Sequence, residues 1–240
     1  MLTEKSASPV HSSQSGLHDR LGDRVARHLR ATWRPVLPAH TRDAFSAVEE
    51  MIVQNNTGLI FDSGCGTGQS TRLIATQNPD ALVIGIDKSA ARLNKAFPGP
   101  LPRREGNILW VRAELAGFWH LAARAGWRLQ AHYLLYPNPW PKPGQLQRRW
   151  HAHPVFPDLL ALGGVLELRT NWKIYAEEFA LAIELALGLE LPVQAVAESA
   201  ITTAFERKYR ASGHELFSVV TPDLTGAPVS LRPAPLSPAG

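Results

Sequence analysis

Apolar and polar positions along this chain repeat with two periods. Over residues 41–54, Phe45, Val48 and Ile52 recur at helical spacing, which predicts a helix with one core-facing stripe. The period then shortens. Leu59-Ile60-Phe61 is a brief apolar run closing on Asp62-Ser63-Gly64-Cys65-Gly66-Thr67-Gly68, with a helical stretch to Thr76 behind it. Strands are predicted over 81–86, closed by Asp87, and over 108–111, 132–136 and 165–168, with two later ones over 193–197 and 216–220. Helical patterns at 89–97, 115–126 and 174–187 fall between them. Strands alternating with helices of this length imply an α/β fold, a Rossmann-like doubly wound, mostly parallel sheet with helices on both faces.

The ends of the chain read differently. Residues 1–16 are serine-rich and weakly patterned. A short helix is plausible between His18 and Trp33, where Arg20, Arg24, Arg27, Arg30 and Arg34 share one face, diluted by Asp23. We therefore expect a flexible basic arm over 1–39, a folded domain over 40–220, and a disordered tail over 221–240, which carries five prolines.

Composition narrows the class. With 45% apolar and 19% charged residues, 240 residues suffice for one globular domain. Cys65 is the single cysteine, so neither a disulfide framework nor a multi-cysteine metal site is open to the chain. No apolar run reaches the roughly 18–20 residues of a membrane span, and the first residues lack the apolar stretch of a secretion signal, so a cytoplasmic protein is expected. The net charge of +4 is modest, but 19 of the 25 basic residues are arginine, the side chain suited to bidentate phosphate contact. His151 and His153 diverge on a helix and lack further ligands, so no metal is expected.

In a doubly wound sheet, ligands sit beyond the carboxyl ends of the strands where the winding reverses. Gly64, Gly66 and Gly68 let a backbone approach a ligand there, and Asp87 can accept from both hydroxyls of a ribose. This pattern suits a dinucleotide or S-adenosyl-L-methionine. The second is favoured because the spacing is G-x-G-x-G, with Gln69 where a dinucleotide fingerprint places its third glycine. Asp62 before the loop can help hold the methionine part, and Glu114 after the third strand can reach the adenine amino group. Cys65 lacks an adjacent activator and reads as a small filler.

The fourth strand closes on Tyr136-Pro137-Asn138-Pro139-Trp140-Pro141-Lys142, a stiff loop whose prolines hold an amide, an indole and a cation in preset directions. Arg148-Arg149 follow, a pair suited to phosphates. The run from Pro137 to Arg149 resembles the bacterial tRNA (guanine-N7)-methyltransferase family, whose signature is P-D-P-W-P-K followed by R-R. Arg169-Thr170-Asn171-Trp172 with Tyr175 is similar to its A-T-D-W-x-x-Y segment, and Thr203-Ala204-Phe205-Glu206-Arg207 to its T-x-F-E-R segment.

The resemblance implies a class I methyltransferase fold, S-adenosyl-L-methionine as cofactor, tRNA as partner and 7-methylguanosine in the variable loop as product. It implies cofactor contacts at Asp62, Gly64, Gly66, Gly68, Asp87, Glu114 and Asn138. Substrate contacts are implied at Trp140, Lys142, Arg148, Arg149, Asn171, Thr203 and Glu206, with catalysis at Asn138, Asn171 and Glu206. The chain departs from the family where Asn138 and Asn171 replace aspartates, and where Gln145 and Gln147 replace a histidine and a lysine. Those amides leave three readings open: the same activity, transfer to an amino group as in N-P-P-Y/W enzymes, or a weakly active or non-catalytic cofactor- and RNA-binding relative. Oligomeric state is not indicated by the sequence.

Overall fold

The computed structural model describes residues 10–52, 57–197 and 203–226. Eight strands form one sheet in the order β3-β4-β2-β1-β5-β6-β8-β7. The central five, β4 (Ile108–Arg112), β2 (Ala81–Asp87), β1 (Gly58–Ser63), β5 (Leu129–Leu135) and β6 (Val165–Thr170), are parallel. Antiparallel strands close both edges: β3 (Arg103–Glu105) on β4, and β8 (Phe217–Asp223) between β6 and β7 (Gln194–Ala195). The chain passes from β1 outward through β2 to β4, then returns to β5 on the other side of β1. The winding thus reverses between β1 and β5.

Period-2 alternation fills both faces. Ile60, Val83, Ile108 and Trp110 join one core with Ile74 of α3 (Gln69–Gln77) and Leu93 of α4 (Ala90–Ala96). Phe61, Leu82, Ile84, Leu109 and Val111 join the other. That larger core is covered by α2 (Ala39–Ile52), α5 (Leu115–Arg124), α6 (Phe156–Ala161) and α7 (Lys173–Leu187). Strands buried on both sides are near-continuously apolar, which is why short apolar runs marked them in the sequence. Among the described residues no helix is long and apolar enough to cross a membrane.

Three expectations are corrected here. The described part of the expected arm is packed on the core. In α1 (Leu21–Arg30), Leu21, Val25 and His28 lie at i, i+4 and i+7 and are buried, and the helix packs against α7 and α6. At the other end, β8 continues to Asp223 and Leu224 is buried, so the fold runs past residue 220; residues 227–240 lie outside the described residues. Finally, β3 and α6, with α8 (Ala204–Ala211), add elements that periodicity did not mark. Each is eight residues or shorter, too brief for a repeat to stand out.

Candidate active site

The loop between β1 and α3 is built by its glycines. Gly64, Gly66 and Gly68 have φ of +84°, +59° and +76°, conformations that side chains rarely tolerate. A Cβ on Gly68 would lie 2.4 Å from the Trp110 indole, so that position is bare because the loop packs there. A Cβ on Gly64 would touch Leu115 at 3.9 Å and one on Gly66 the Gly64 carbonyl at 4.0 Å, ordinary contacts, so the positive φ and not crowding is what calls for glycine there. These two glycines expose main chain beyond the sheet's carboxyl edge. The amides of Gly64 and Cys65 donate to the Ile86 carbonyl at 2.7 and 3.1 Å, tying the loop to the end of β2.

Two buried carboxylates hold this loop. Asp62 Oδ2 accepts from the Ser70 and Thr71 hydroxyls at 2.7 and 2.6 Å, fastening the first turn of α3. Burial raises the Asp62 pKa, against the lowering effect of those two hydroxyls. Through that oxygen Asp62 shapes the loop from beneath. Asp87 Oδ2 accepts from the Gly66 amide at 3.0 Å, and Oδ1 from the Ser89 amide at 2.8 Å. Each oxygen keeps a lone pair for a further donor. Glu114 is exposed at the N-cap of α5, and its neighbour Leu115 is the side chain that a Cβ on Gly64 would approach. Cys65 is buried and its thiol pKa is pushed up by that burial, in keeping with a filler.

Beside β1, β5 ends in the proline loop. Tyr136 and Trp140 have φ of +53° and +46°, strained values for bulky residues. Asn138 is exposed, with its Oδ1 accepting from the Trp140 amide at 3.3 Å. Lys142 is also exposed at the start of a 3-10 turn, and the exposed Arg148 stacks its guanidinium 4.6 Å from the Trp140 ring centroid.

Arg149 departs from the expectation of a phosphate contact: its side chain is 0% exposed. Its guanidinium donates to Glu178 Oε2 at 2.6 Å, to the Trp140 carbonyl at 3.2 and 3.1 Å, and to Gln14 Oε1 at 2.9 Å. His151 completes this group at 3.0 Å from Glu178 Oε2. Burial would raise the Glu178 carboxyl, but His151 and Arg149 outweigh it and hold the pKa down at about 2. Arg149 thus positions the strained loop through the Trp140 carbonyl. Ser12 adds to the hold by donating to the Pro141 carbonyl, and His18 Nε2 lies 3.2 Å from that of Pro143.

At the next strand end, Asn171 Nδ2 lies 3.4 Å from His214 Nδ1. Thr203 caps α8: its hydroxyl accepts from the Glu206 amide at 2.9 Å, and Glu206 Oε2 accepts from the Thr203 amide at 3.3 Å. The Thr203 side chain therefore serves the helix, where a substrate contact was expected. Glu206 is 1% exposed and meets Arg169 at 3.5 Å and Arg210 at 3.3 Å. Arg207 donates to Gln69 Oε1 at 2.6 Å, joining α8 to the helix behind the glycine loop.

All the sequence blocks thus converge at the carboxyl edge of the sheet. Sequence reasoning missed Tyr136, Arg169 and Glu178. For Glu178 a signal existed: it is a lone acid on the α7 stripe of Tyr175, Ala176, Phe179 and Ala182, all buried.

Residues 56–219 match the family model described as "Putative methyltransferase". A tRNA (guanine-N(7)-)-methyltransferase of Leifsonia xyli subsp. xyli is 27% identical over 168 residues, 65% of this chain and 72% of that protein. One from Acidithiobacillus ferrooxidans is 27% identical over 215 residues, 83% of this chain and 90% of that protein. The solved structure of an antibiotic-related methyltransferase superposes with a TM-score of 0.53 at 14% identity, over 81% of this chain and 97% of that one. That likeness establishes a shared class I methyltransferase fold. With its matched region spanning the glycine loop, the proline loop, α8 and the start of β8, the chain belongs to this methyltransferase family, as a divergent relative of the tRNA (guanine-N7)-methyltransferases.

Proposed function

We propose that the protein transfers a methyl group from S-adenosyl-L-methionine to N7 of a guanine in tRNA. The observation that carries this reading is the pairing of a bare glycine backbone with Asp87 on one side of the winding reversal, and the Asn138–Trp140 shelf on the other. The names of the relatives from Leifsonia and Acidithiobacillus support the choice of acceptor.

The residues fit the cofactor. Without side chains at Gly64 and Gly66 a ligand can approach the main chain, and Asp87 retains lone pairs for two ribose hydroxyls. Glu114, exposed at the start of α5, is our candidate for the adenine amino group. When bound, S-adenosyl-L-methionine supplies a methyl group on a positively charged sulfur. The chain's own task is alignment, which can provide a large part of the acceleration of such a displacement.

Guanine N7 carries no proton, so no general base is needed. Asn138 offers its amide to orient the base, and Asn171 stands at the adjacent strand end beside His214. The methylated base is cationic, and Glu206 is the acidic candidate near it, although its carboxylate is already shared by Arg169 and Arg210. Trp140, Lys142 and Arg148 form the outer face of the shelf, where the indole and two cations suit bases and phosphates.

Two measurements test this reading. S-adenosylhomocysteine is expected to raise the melting temperature of the purified protein, and NAD is not; stabilisation by NAD alone would contradict the cofactor assignment. Asn138→Asp is expected to raise guanine-N7 transfer, because a carboxylate favours a developing positive charge better than an amide. A fall in transfer would instead indicate an acceptor that requires the amide.

A further inference from the structure

Tyr136 combines three features that packing alone does not account for. Its backbone lies at φ +53°, a conformation bulky residues enter only when the surroundings enforce it. Its amide is fastened to the Arg169 carbonyl at 2.8 Å, and its ring lies 5.7 Å from that of Tyr209 on α8. Its hydroxyl is buried and has no hydrogen-bond partner among the described residues. Buried hydroxyls are almost always paired, so one held unpaired on a strained residue at a strand's carboxyl end points to a missing ligand group.

The surroundings define that group. Burial pushes the Tyr136 phenol up, and the Glu206 carboxylate acts in the same direction, so the hydroxyl stays protonated and available as a donor. Beside it, Glu206 is an acceptor whose bonds to Arg169, Arg210 and the Thr203 amide are long, at 3.3 to 3.5 Å. Guanine presents an acceptor, O6, next to a donor, N1–H. Adenine presents an amino donor where guanine has O6, and would face the phenol hydrogen with another hydrogen.

We infer that the Tyr136 hydroxyl, paired with Glu206, reads the O6–N1 edge of the target guanine and so selects the base while leaving N7 free. This rests on the proposed guanine acceptor and adds to it a specificity-determining residue. Tyr136 touches the base and takes no proton in the transfer.

The test is Tyr136→Phe, which removes one oxygen and keeps the ring. Because the hydroxyl has no protein partner, the variant should melt at the same temperature as the wild type or higher, and bind S-adenosylhomocysteine equally well. Its kcat/KM on tRNA should fall roughly tenfold or more, the effect of losing one substrate hydrogen bond in a closed site. Replacing the target guanine by 2-aminopurine, which lacks O6 and N1–H, should cost the variant less than the wild type by a similar factor. Unchanged kcat/KM in an active variant overturns the inference and leaves the guanine-N7 reading standing. A loss of melting temperature together with an equal base-swap penalty in both proteins also overturns it, by giving the hydroxyl a structural role. A wild type that forms no 7-methylguanosine removes the underlying reading as well.

Discussion

Arg148 and Arg149 are adjacent and identical in type, yet they have opposite tasks. One guanidinium lies in solvent over Trp140; the other is sealed against Glu178. Arg149→Ala would leave the buried Glu178 carboxylate without its guanidinium counter-charge, and should cost about 3–5 kcal/mol of stability, read by chemical denaturation. Arg148→Ala should leave stability unchanged, weaken tRNA binding and flatten its salt dependence by about one phosphate contact. If the two variants lose stability equally, the assignment of inside and outside is wrong. The sequence shows both arginines as one basic pair, since the partner that draws Arg149 inward lies 29 residues further along and becomes its neighbour only when α7 packs. The glycines and Asp87 were legible because their geometry is set by their own loop and the end of the next strand. The task of Asp62 was not, because Ser70 and Thr71 capture its carboxylate from the following helix.

At the scale of elements, the N-terminal segment is the largest departure from expectation. Its arginines drew the reading toward a free arm, while Leu21, Val25 and His28 form the stripe that docks α1. This docking brings His28 close to His153, whose ring also meets Trp33 and Trp150 edge-on. Burial, with a smaller effect from His28, lowers the His153 pKa from 6.5 to about 4, and burial lowers that of His132 on β5 to about 3. Both histidines stay neutral in the fold below pH 6.5, while the unfolded chain takes up protons. Stability should therefore fall as pH drops from about 6.5 toward 4. Glu178 adds its own loss below pH 4.5, its ordinary value, as the pH falls toward its folded value of about 2. Melting temperatures recorded between pH 8 and 4 check the sign. His153→Asn, which keeps an acceptor for the Val155 amide, should show a shallower decline, and an unchanged slope would exclude His153 as a contributor. The glycine loop makes a separate demand: Gly68→Ala drives a methyl group into Trp110 and should cost about 1–3 kcal/mol from overpacking before any strain at φ +76°. Retained stability in that variant would show that the loop can move away from the indole.

For the molecule as a whole, topology was the most legible feature, because the central parallel strands β1, β2 and β4, buried almost throughout, leave apolar runs that composition cannot hide. The antiparallel edges were less so. The three-residue β3 has too few positions to show a period, whereas β7 and β8 fall on the strands expected over 193–197 and 216–220. The architecture places the ends of β1, β2, β4, β5 and β6 along one edge, and that edge gathers residues from Asp62 to His214 into a single region. Most of the sequence-derived site residues lie there: Asn138 is exposed, while Asp62, Arg149, Thr203 and Glu206 are buried in bonds to the surrounding protein. The proposed activity is a property of that assembled edge, and its product is chemically distinct from those of the alternatives. The most direct measurement is nucleoside analysis by mass spectrometry of tRNA incubated with the purified protein and S-adenosyl-L-methionine. The expected result is 7-methylguanosine that is absent when the cofactor is omitted; an amino-methylated nucleoside, or tRNA left unmethylated, would contradict it.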